Sequence, residues 1–249
     1  MKQYLKFLVN LFGYKVNKIL LLDRMKNDGR ITDLDVFNIF IENQILKEKT
    51  NFNFIQIGAN DGITSDPIYH NITKYKPNGI LIEPQREVFN ALINNYKNNE
   101  NLSFFNFAIS DSNSERILYK VDDTFHHRSS CLKGVASFSK DHVIEAFKYN
   151  VKDKVDEIDF LSEEVVTTKT FDKLLEISKF DQISLLQIDA ESYDYHILVQ
   201  MFNSKVRPGI VNFEVKMMSD NEKEFVVDRF VQEGYKLYRH GIDLMAYKV

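Results

Sequence analysis

Short apolar runs alternate with helical patterns along the central part of this 249-residue chain. Apolar runs bounded by turn residues are typical of buried strands, and apolar residues recurring every three or four positions are typical of helices. The predicted strands cover residues 52–57, 79–82, 102–109, 183–188, 210–215, 235–239 and 244–247. Regular alternation of strands and helices predicts an α/β fold with a Rossmann-like, mostly parallel, seven-stranded sheet and helices on both faces. The His240-Gly241 turn predicts that the last strand returns antiparallel in a terminal hairpin.

Two regions interrupt this rhythm. Residues 1–50 are predicted to form a helical appendage, and residues 51–249 to form the main domain. Within that domain, the polar stretch at about 118–168 is too long for an ordinary loop and is interpreted as an insertion on the substrate side. We expect a helix over Tyr4–Leu22, but its lysines make it amphipathic and unsuited to cross a membrane. Contact with a membrane surface and homodimerisation through the N-terminal helices both stay open.

Composition excludes some classes of protein. The formal net charge of −4 argues against a dedicated nucleic-acid binder, which usually carries a basic excess. A single cysteine, Cys131, excludes an intrachain disulfide and a zinc site built from several cysteines. A reduced thiol of this kind is typical of a cytoplasmic protein.

The candidate chemistry lies at the ends of the predicted strands. In an open parallel sheet, ligands bind beyond the carboxyl ends of the strands. Five of these ends carry acidic or glycine-rich residues, namely Gly58–Gly62, Glu83, Asp111, Asp189 with Glu191, and Glu214. Their recurrence at one edge predicts a binding cleft there.

The first of these turns favours one kind of ligand. Gly58 and Gly62 allow a sharp turn and close approach of a ligand to the backbone. A dinucleotide site prefers a glycine at the position that Asn60 occupies. The carboxylate of Asp61 repels phosphate but can pair with an ammonium group, so a ligand with an amino-acid tail is favoured over NAD. Glu83 can accept hydrogen bonds from both hydroxyls of a ribose.

Three segments together resemble one family. Phe54-Ile-Gln-Ile-Gly-Ala-Asn-Asp-Gly62, Leu81-Ile-Glu-Pro84 and Leu186-Gln-Ile-Asp-Ala-Glu191 are similar in sequence and spacing to FkbM-type methyltransferases. Val166–Leu175 resembles that family's approach to its fourth strand. Ser192 is a departure, because the family usually has glycine there. The resemblance spans about residues 52–215.

The resemblance implies an S-adenosylmethionine-dependent O-methyltransferase acting on a hydroxyl of a sugar or glycan-like acceptor. It further implies that the methionine part of the cofactor contacts the first turn, the ribose contacts Glu83, and the reacting methyl group faces Asp189 and Glu191. The residues implied to bind the cofactor are Gly58, Asn60, Asp61, Gly62, Glu83 and, around the adenine, Ala108, Ile109 and Asp111.

Proton transfer and metal binding are the remaining chemical predictions. A carboxylate or histidine near the acceptor hydroxyl can take its proton, and Asp189, Glu191 and His196 are the candidates. Carboxylates that converge repel one another, so a Mg²⁺ ion bound by Asp189 and Glu214 is also considered. The insertion contributes candidate substrate contacts, namely His126, His127, Arg128, Ser129 and Ser130.

Other functions fit the same fold, since fold alone does not determine function. An NAD-linked oxidoreductase, a methyltransferase acting on another small metabolite or a protein, and a binding protein without catalysis remain as alternatives.

Overall fold

The computed structural model describes residues 35–153 and 155–248. The predicted helix over Tyr4–Leu22, and with it the expected dimer or membrane contact, lies outside the described residues. Within the described part, no helix is both long and apolar enough to cross a membrane.

A seven-stranded sheet forms the centre of the domain, in the order β10-β11-β9-β8-β1-β2-β3. Its strands are β1 (Asn53–Ile57), β2 (Asn78–Ile82), β3 (Leu102–Phe105), β8 (Leu185–Ile188), β9 (Ile210–Glu214), β10 (Tyr235–His240) and β11 (Asp243–Lys248). Neighbouring strands pair in parallel, except that β11 runs antiparallel to both β9 and β10. The predicted sheet and its antiparallel hairpin strand are therefore confirmed.

Helices pack on both faces of this sheet. They are α1 (Val36–Glu48), α2 (Tyr69–Tyr75), α3 (Arg86–Asn95), α6 (Phe171–Ser178), α7 (Asp194–Asn203) and α8 (Asp220–Gln232), whereas α4 (Lys140–Asn150) and α5 (Glu157–Phe160) belong to the layer described below. On one face, Ile55 and Ile57 join an apolar cluster with α6, α7 and α8. On the other, Phe54 packs in a cluster with α1, α2 and α3. Alternate residues of β1 thus face opposite layers, as strand geometry requires.

Helix α1 belongs to the second of these clusters, through the buried residues Phe37, Ile41 and Ile45. Of the predicted appendage, residues 37–50 are part of the same compact unit as the sheet. The division of the chain at residue 50 stays a prediction.

The predicted third strand, over residues 102–109, is wrong as one element. It ends at Phe105, because the side-chain amide of Asn106 donates hydrogen bonds to the carbonyl oxygens of Glu83 (2.9 Å) and Pro84 (2.8 Å). The chain then leaves the large sheet, and β4 (Ala108–Ile109) pairs with a strand of a second sheet. This bend places Ala108 and Ile109 beside the carboxyl end of β2.

The predicted insertion at 118–168 holds most of that second sheet, ordered β4-β7-β5-β6. Its other strands are β5 (Glu115–Val121), β6 (Ala136–Ser137) and β7 (Leu161–Lys169). Between β5 and β6 run two 3₁₀ helices, Asp123–Arg128 and Ser130–Gly134, and α4 and α5 follow β6. A separate apolar cluster, which includes Leu132, Val143, Phe147 and Phe160, stabilises this layer.

Candidate functional site

Two adjoining cavities lie at the carboxyl ends of the parallel strands. The narrow cleft, about 80 Å³, runs from the end of β2 to β4 and is bounded by residues 134–138 on the other side. The wide cavity, about 700 Å³, extends from the end of β1 across β8 and β9 towards α4. Five residues line both and form their shared wall: Gly58, Asn60, Gly134, Asp189 and Glu191.

Gly58 brings the turns after β1 and β8 together. Its φ of +78° lies in the left-handed region, and a Cβ on it would lie 1.7 Å from the carbonyl oxygen of Asp189. No side chain fits that gap, so glycine is required for the two turns to touch. Asn60 follows with a φ of +48° and donates its backbone N–H to Glu83 Oε2 at 3.0 Å.

Asp61 and Gly62 organise this turn rather than line a cavity. Asp61 Oδ1 accepts the backbone N–H groups of Ile63 (3.0 Å) and Thr64 (2.7 Å), and Oδ2 accepts the Thr64 hydroxyl at 2.9 Å. These hydrogen bonds outweigh the cost of burial and lower the pKa of Asp61. A Cβ on Gly62 would lie 2.4 Å from the ring of Tyr96. The sequence predicts that Asp61 pairs with the amino-acid tail of the ligand. Both carboxylate oxygens of Asp61 already accept hydrogen bonds from the loop.

Glu83 is placed as predicted, at the end of β2 in the wall of the narrow cleft. Its side chain is buried, and its oxygens accept the backbone N–H groups of Asn60 (3.0 Å) and Gln85 (2.9 Å). Burial raises the pKa of Glu83 to about 7, against these hydrogen bonds. Each carboxylate oxygen can accept more than one hydrogen bond, so both keep capacity for a ligand's hydroxyl groups.

The two residues of β4 also line the narrow cleft, opposite Glu83. Ala108 and Ile109 give it an apolar side, which suits a flat heterocycle. Asp111, predicted beside them, is exposed, and its Oδ1 lies 4.0 Å from a guanidinium nitrogen of Arg116. It is not part of either cavity wall.

Asp189, in the turn after β8, and Asp194, the first residue of α7, are two acids with elevated pKa values. Asp189 is open to solvent in the shared wall, and its carboxyl forms no hydrogen bond with the described residues. Desolvation by the surrounding cavity walls, followed by the charges of Glu191 and Asp194, raises the pKa of Asp189 well above its usual value, although part of the residue reaches solvent. Asp194 is buried and accepts the backbone N–H groups of Ala190 (3.1 Å) and Glu214 (3.2 Å). Burial raises the pKa of Asp194 to about 7.

Glu191 joins the sheet to the insertion. Its Oε2 lies 2.7 Å from Nε2 of His142 on α4, and its backbone oxygen accepts the Ser137 hydroxyl at 2.7 Å. The hydrogen bond with Glu191, opposed by burial, raises the pKa of His142. Glu191 and Ser192 have φ values of +46° and +85°. A glycine at position 192 would adopt this left-handed conformation without the strain that a side chain brings.

A small aromatic cluster closes the narrow cleft. Phe138 and Tyr193 both line it and meet edge to face, with ring centroids 5.3 Å apart. The guanidinium of Arg116 on β5 lies 4.1 Å from the centroid of Phe138, within cation–π range. The segment between Gly134 and Phe138 is thereby held over the cleft.

The other predicted site residues lie elsewhere. His196 is exposed on α7 and contacts the ring of Tyr193, at 4.6 Å between centroids. His126 and His127 lie in the 3₁₀ helix Asp123–Arg128. Their rings contact the backbone oxygens of Val121 (3.3 Å) and Thr124 (2.6 Å), respectively. Arg128 forms an ion pair with Asp153 at 2.7 Å. None of these four side chains lines either cavity.

Ser129 and Ser130 stand at the junction of the two 3₁₀ helices. The second of these helices ends at Gly134 in the shared wall, so this segment approaches the site through its backbone. Among the described residues, no group of three or more His, Cys, Asp or Glu side chains is arranged to hold a metal ion.

Several residues of the site were not predicted. His142 comes from the insertion, where no local pattern indicates which helix face meets the sheet. The sequence does contain a pattern that could have identified three buried amides, Gln56, Gln187 and Asn212. Each interrupts an apolar strand two residues before a residue already singled out, namely Gly58, Asp189 and Glu214.

Comparison with known proteins gives a family match over most of the chain. A family model described as the Methyltransferase FkbM domain matches residues 56–237. No curated protein matches the chain.

Among solved structures, the chain is similar to the methyltransferase FkbM from Methylobacillus flagellatus KT, at 12% identity and a TM-score of 0.44, covering 79% of this chain and 43% of that one. It is also similar to the O-methyltransferase from Bacillus cereus in complex with SAH, at 10% identity and a TM-score of 0.39, covering 93% and 90%. Fibrillarin from Aeropyrum pernix with bound S-adenosyl-L-methionine matches at 12% identity and a TM-score of 0.39, covering 84% and 74%. The chain thus spans less than half the length of the Methylobacillus protein.

Proposed function

This chain belongs to the family of FkbM methyltransferase domains, and we propose that it transfers a methyl group from S-adenosylmethionine to a hydroxyl of a sugar or glycan-like acceptor. When bound, S-adenosylmethionine supplies a methyl group carried on a positively charged sulfur. The proposal rests on one arrangement above all, the meeting of two cavities at a wall that contains Asp189 and Glu191. Two substrates must meet at such a boundary for a group to pass between them.

The residues of the narrow cleft fit a nucleoside. Glu83 offers two acceptor oxygens for ribose hydroxyls, while Ala108 and Ile109 offer an apolar side for the adenine. The cleft is narrower than the roughly 300 Å³ of ordinary ligand pockets. Entry of the nucleoside therefore requires the cleft to widen.

Asp189 and Glu191 fit the reacting end of the cofactor. Their carboxyls lie in the shared wall, where negative charge can face a positively charged sulfur or an ammonium group. An acceptor hydroxyl in the wide cavity must lose its proton during transfer, and a positioned carboxylate can take it. We assign this role to Asp189, whose carboxyl is free of other hydrogen bonds in the described structure and whose elevated pKa favours accepting a proton.

The Mg²⁺ ion considered for Asp189 and Glu214 is not part of this proposal, because the described residues offer no third side-chain ligand. The expectations of a cytoplasmic location and of a homodimer through the N-terminal helices remain predictions. Methylation of another small metabolite or of a protein is the second candidate function.

The test is transfer of isotope-labelled methyl from S-adenosylmethionine to a panel of sugars and sugar oligomers, a phenolic metabolite and a peptide. We expect label on at least one carbohydrate, and a rate roughly 100-fold lower for Asp189→Asn, the usual contribution of a general base. Asp228→Asn removes a carboxylate from the exposed side of α8 and should leave the rate unchanged. Label confined to the phenol or the peptide would contradict the proposed acceptor.

A further inference from the structure

Two buried amide side chains, Gln56 and Gln187, line the wide cavity, and a third, Asn212, continues their row beneath its surface. Gln56, Gln187 and Asn212 are direct neighbours in register across β1, β8 and β9, and all three are almost fully buried. The amide of Asn212 donates to Gln187 Oε1 at 3.0 Å, which links two of them. Elsewhere on this face the same strands carry apolar residues, such as Phe54, Leu185 and Ile210. Polar side chains are costly at such positions unless they are hydrogen-bonded.

Not every polar atom along this row has a hydrogen-bond partner. Gln56 is 2% exposed and lies in the wall of the wide cavity, yet its Oε1 has no hydrogen-bond partner. Asp66 lies in the same wall, and its buried Oδ2 also lacks one. Both atoms are acceptors, so a ligand that donates hydrogen bonds would satisfy them. A ligand with several hydroxyl or ammonium hydrogens meets that requirement.

Two carboxylates face each other beside this row. Glu214 and Asp243 are directly paired residues of the antiparallel strands β9 and β11, and both line the wide cavity. Like charges directly opposite in a ladder are destabilising. Burial, then the charge of Glu191 and more weakly that of Asp243, raise the pKa of Glu214, although nearby Lys216 lowers it. A positive charge between them would relieve this cost.

The wide cavity has more acidic than basic side chains in its wall. Apart from the shared wall, the wide cavity is lined by four acids: Asp66, Glu145, Glu214 and Asp243. Its own cationic side chains are Lys216, which is exposed and 5.9 Å from the centroid of Tyr149 at the rim, and His142, which is bonded to Glu191. The cavity therefore carries a negative excess even after Asp189 and Glu191 are assigned to the cofactor.

We propose that the wide cavity selects an acceptor that carries both hydroxyl groups and a protonated amine, with an amino sugar as the simplest example. The hydroxyls bind the amides of Gln56 and Gln187, and the ammonium group lies against Glu214 and Asp243. The same charge excludes phosphorylated and carboxylated sugars. This inference rests on the proposed function, since it names the acceptor class of that same site.

The first test is titration calorimetry at pH 7 with the protein saturated in S-adenosylhomocysteine. The probes are the disaccharide of glucosamine, its N,N′-diacetylated form, which has the same ring skeleton without the charge, and glucosamine 6-phosphate. We expect the free amine to bind at least about tenfold more tightly than the acetylated form, the effect of one hydrogen bond to a charged group. The phosphate should bind weakly or not at all.

Substitutions of the two acids test whether they cause the preference for the free amine. Glu214→Gln and Asp243→Asn should each weaken binding of the amine roughly tenfold and leave the affinity for S-adenosylhomocysteine within about twofold. Asp228→Asn, which removes an equal charge from the surface of α8, should change neither.

Equal affinity for the two disaccharides, tighter binding of the phosphate, or no sugar binding by protein that holds S-adenosylhomocysteine would each overturn the inference. Failure to bind S-adenosylhomocysteine itself would instead contradict the proposed function. Binding of S-adenosylhomocysteine therefore distinguishes a wrong acceptor class from a wrong function.

Discussion

Glu83 illustrates how one residue combines a structural and a binding role. The same carboxyl joins the turns after β1 and β2 through Asn60 and Gln85 and faces the narrow cleft. Glu83→Gln replaces one acceptor oxygen with an NH₂ donor. Affinity for S-adenosylhomocysteine should then fall at least about tenfold, the effect of one lost hydrogen bond to a charged group. Titration calorimetry measures it.

The matched control is Glu87→Gln, the same change at an exposed position in the first turn of α3. It should bind S-adenosylhomocysteine as wild type does. Equal affinity in the two variants would show that Glu83 does not contact the ribose.

At the scale of elements, the site depends on how closely the turns after β1 and β8 approach. A methyl group at Gly58 would overlap the backbone of Asp189, whereas one at Gly241, in the β10–β11 turn, would meet no atom within 4 Å. Both glycines have positive φ, at +78° and +62°. Gly241→Ala should therefore cost about 1–2 kcal/mol for the left-handed conformation alone.

Gly58→Ala should lower the free energy of unfolding by about 2–3 kcal/mol more than Gly241→Ala does, because overpacking adds to the conformational cost. Urea denaturation of the two variants measures the difference. Similar losses in both would mean that the two turns separate readily.

The contact between α4 and the turn after β8 is the second feature at this scale. His142 bonds Glu191 from a helix of the insertion, 49 residues away in sequence. His142→Gln removes that contact, so the backbone amides of α4 should exchange hydrogen for deuterium faster, as in any element with less local stability. His196→Gln on the exposed side of α7 is the control. Unchanged exchange in α4 would show that other contacts of the insertion hold this helix.

At the scale of the whole molecule, several buried acids share one direction of pKa change. The pKa rises to about 7 for Glu83 and Asp194 and to about 6 for Asp66, from usual values of 4.5, 3.8 and 3.8, chiefly through burial. The folded state thus binds these protons more tightly than the unfolded chain. Their contribution to stability is complete below the unfolded pKa and is lost as pH rises through the folded value.

We therefore expect the free energy of unfolding of the ligand-free protein to decrease from pH 5 to pH 8, measured by urea denaturation. Acids with lowered pKa values, such as Asp61 and Glu233, act in the opposite direction only at lower pH. Stability that is constant or increases over this interval would contradict the assigned burial of Glu83 and Asp194.

The sequence predicted the sheet well because strand and helix periodicities are local signals. The strand ends carrying Gly58, Glu83 and Asp189 were identified for the same reason, since parallel strands bring their carboxyl ends to one edge. The prediction was wrong where a tertiary contact decides the outcome, as when Asn106 ends β3. His142 could not be predicted, because its contact with Glu191 depends on how the insertion folds back over the sheet.

Titration calorimetry of the wild-type protein with S-adenosylmethionine, S-adenosylhomocysteine and NAD tests whether the narrow cleft binds S-adenosylmethionine. We expect dissociation constants on the order of micromolar for the first two, comparable to common substrate affinities of enzymes, and no detectable binding of NAD. Binding of NAD, or of none of the three, would contradict the assignment of the narrow cleft to S-adenosylmethionine.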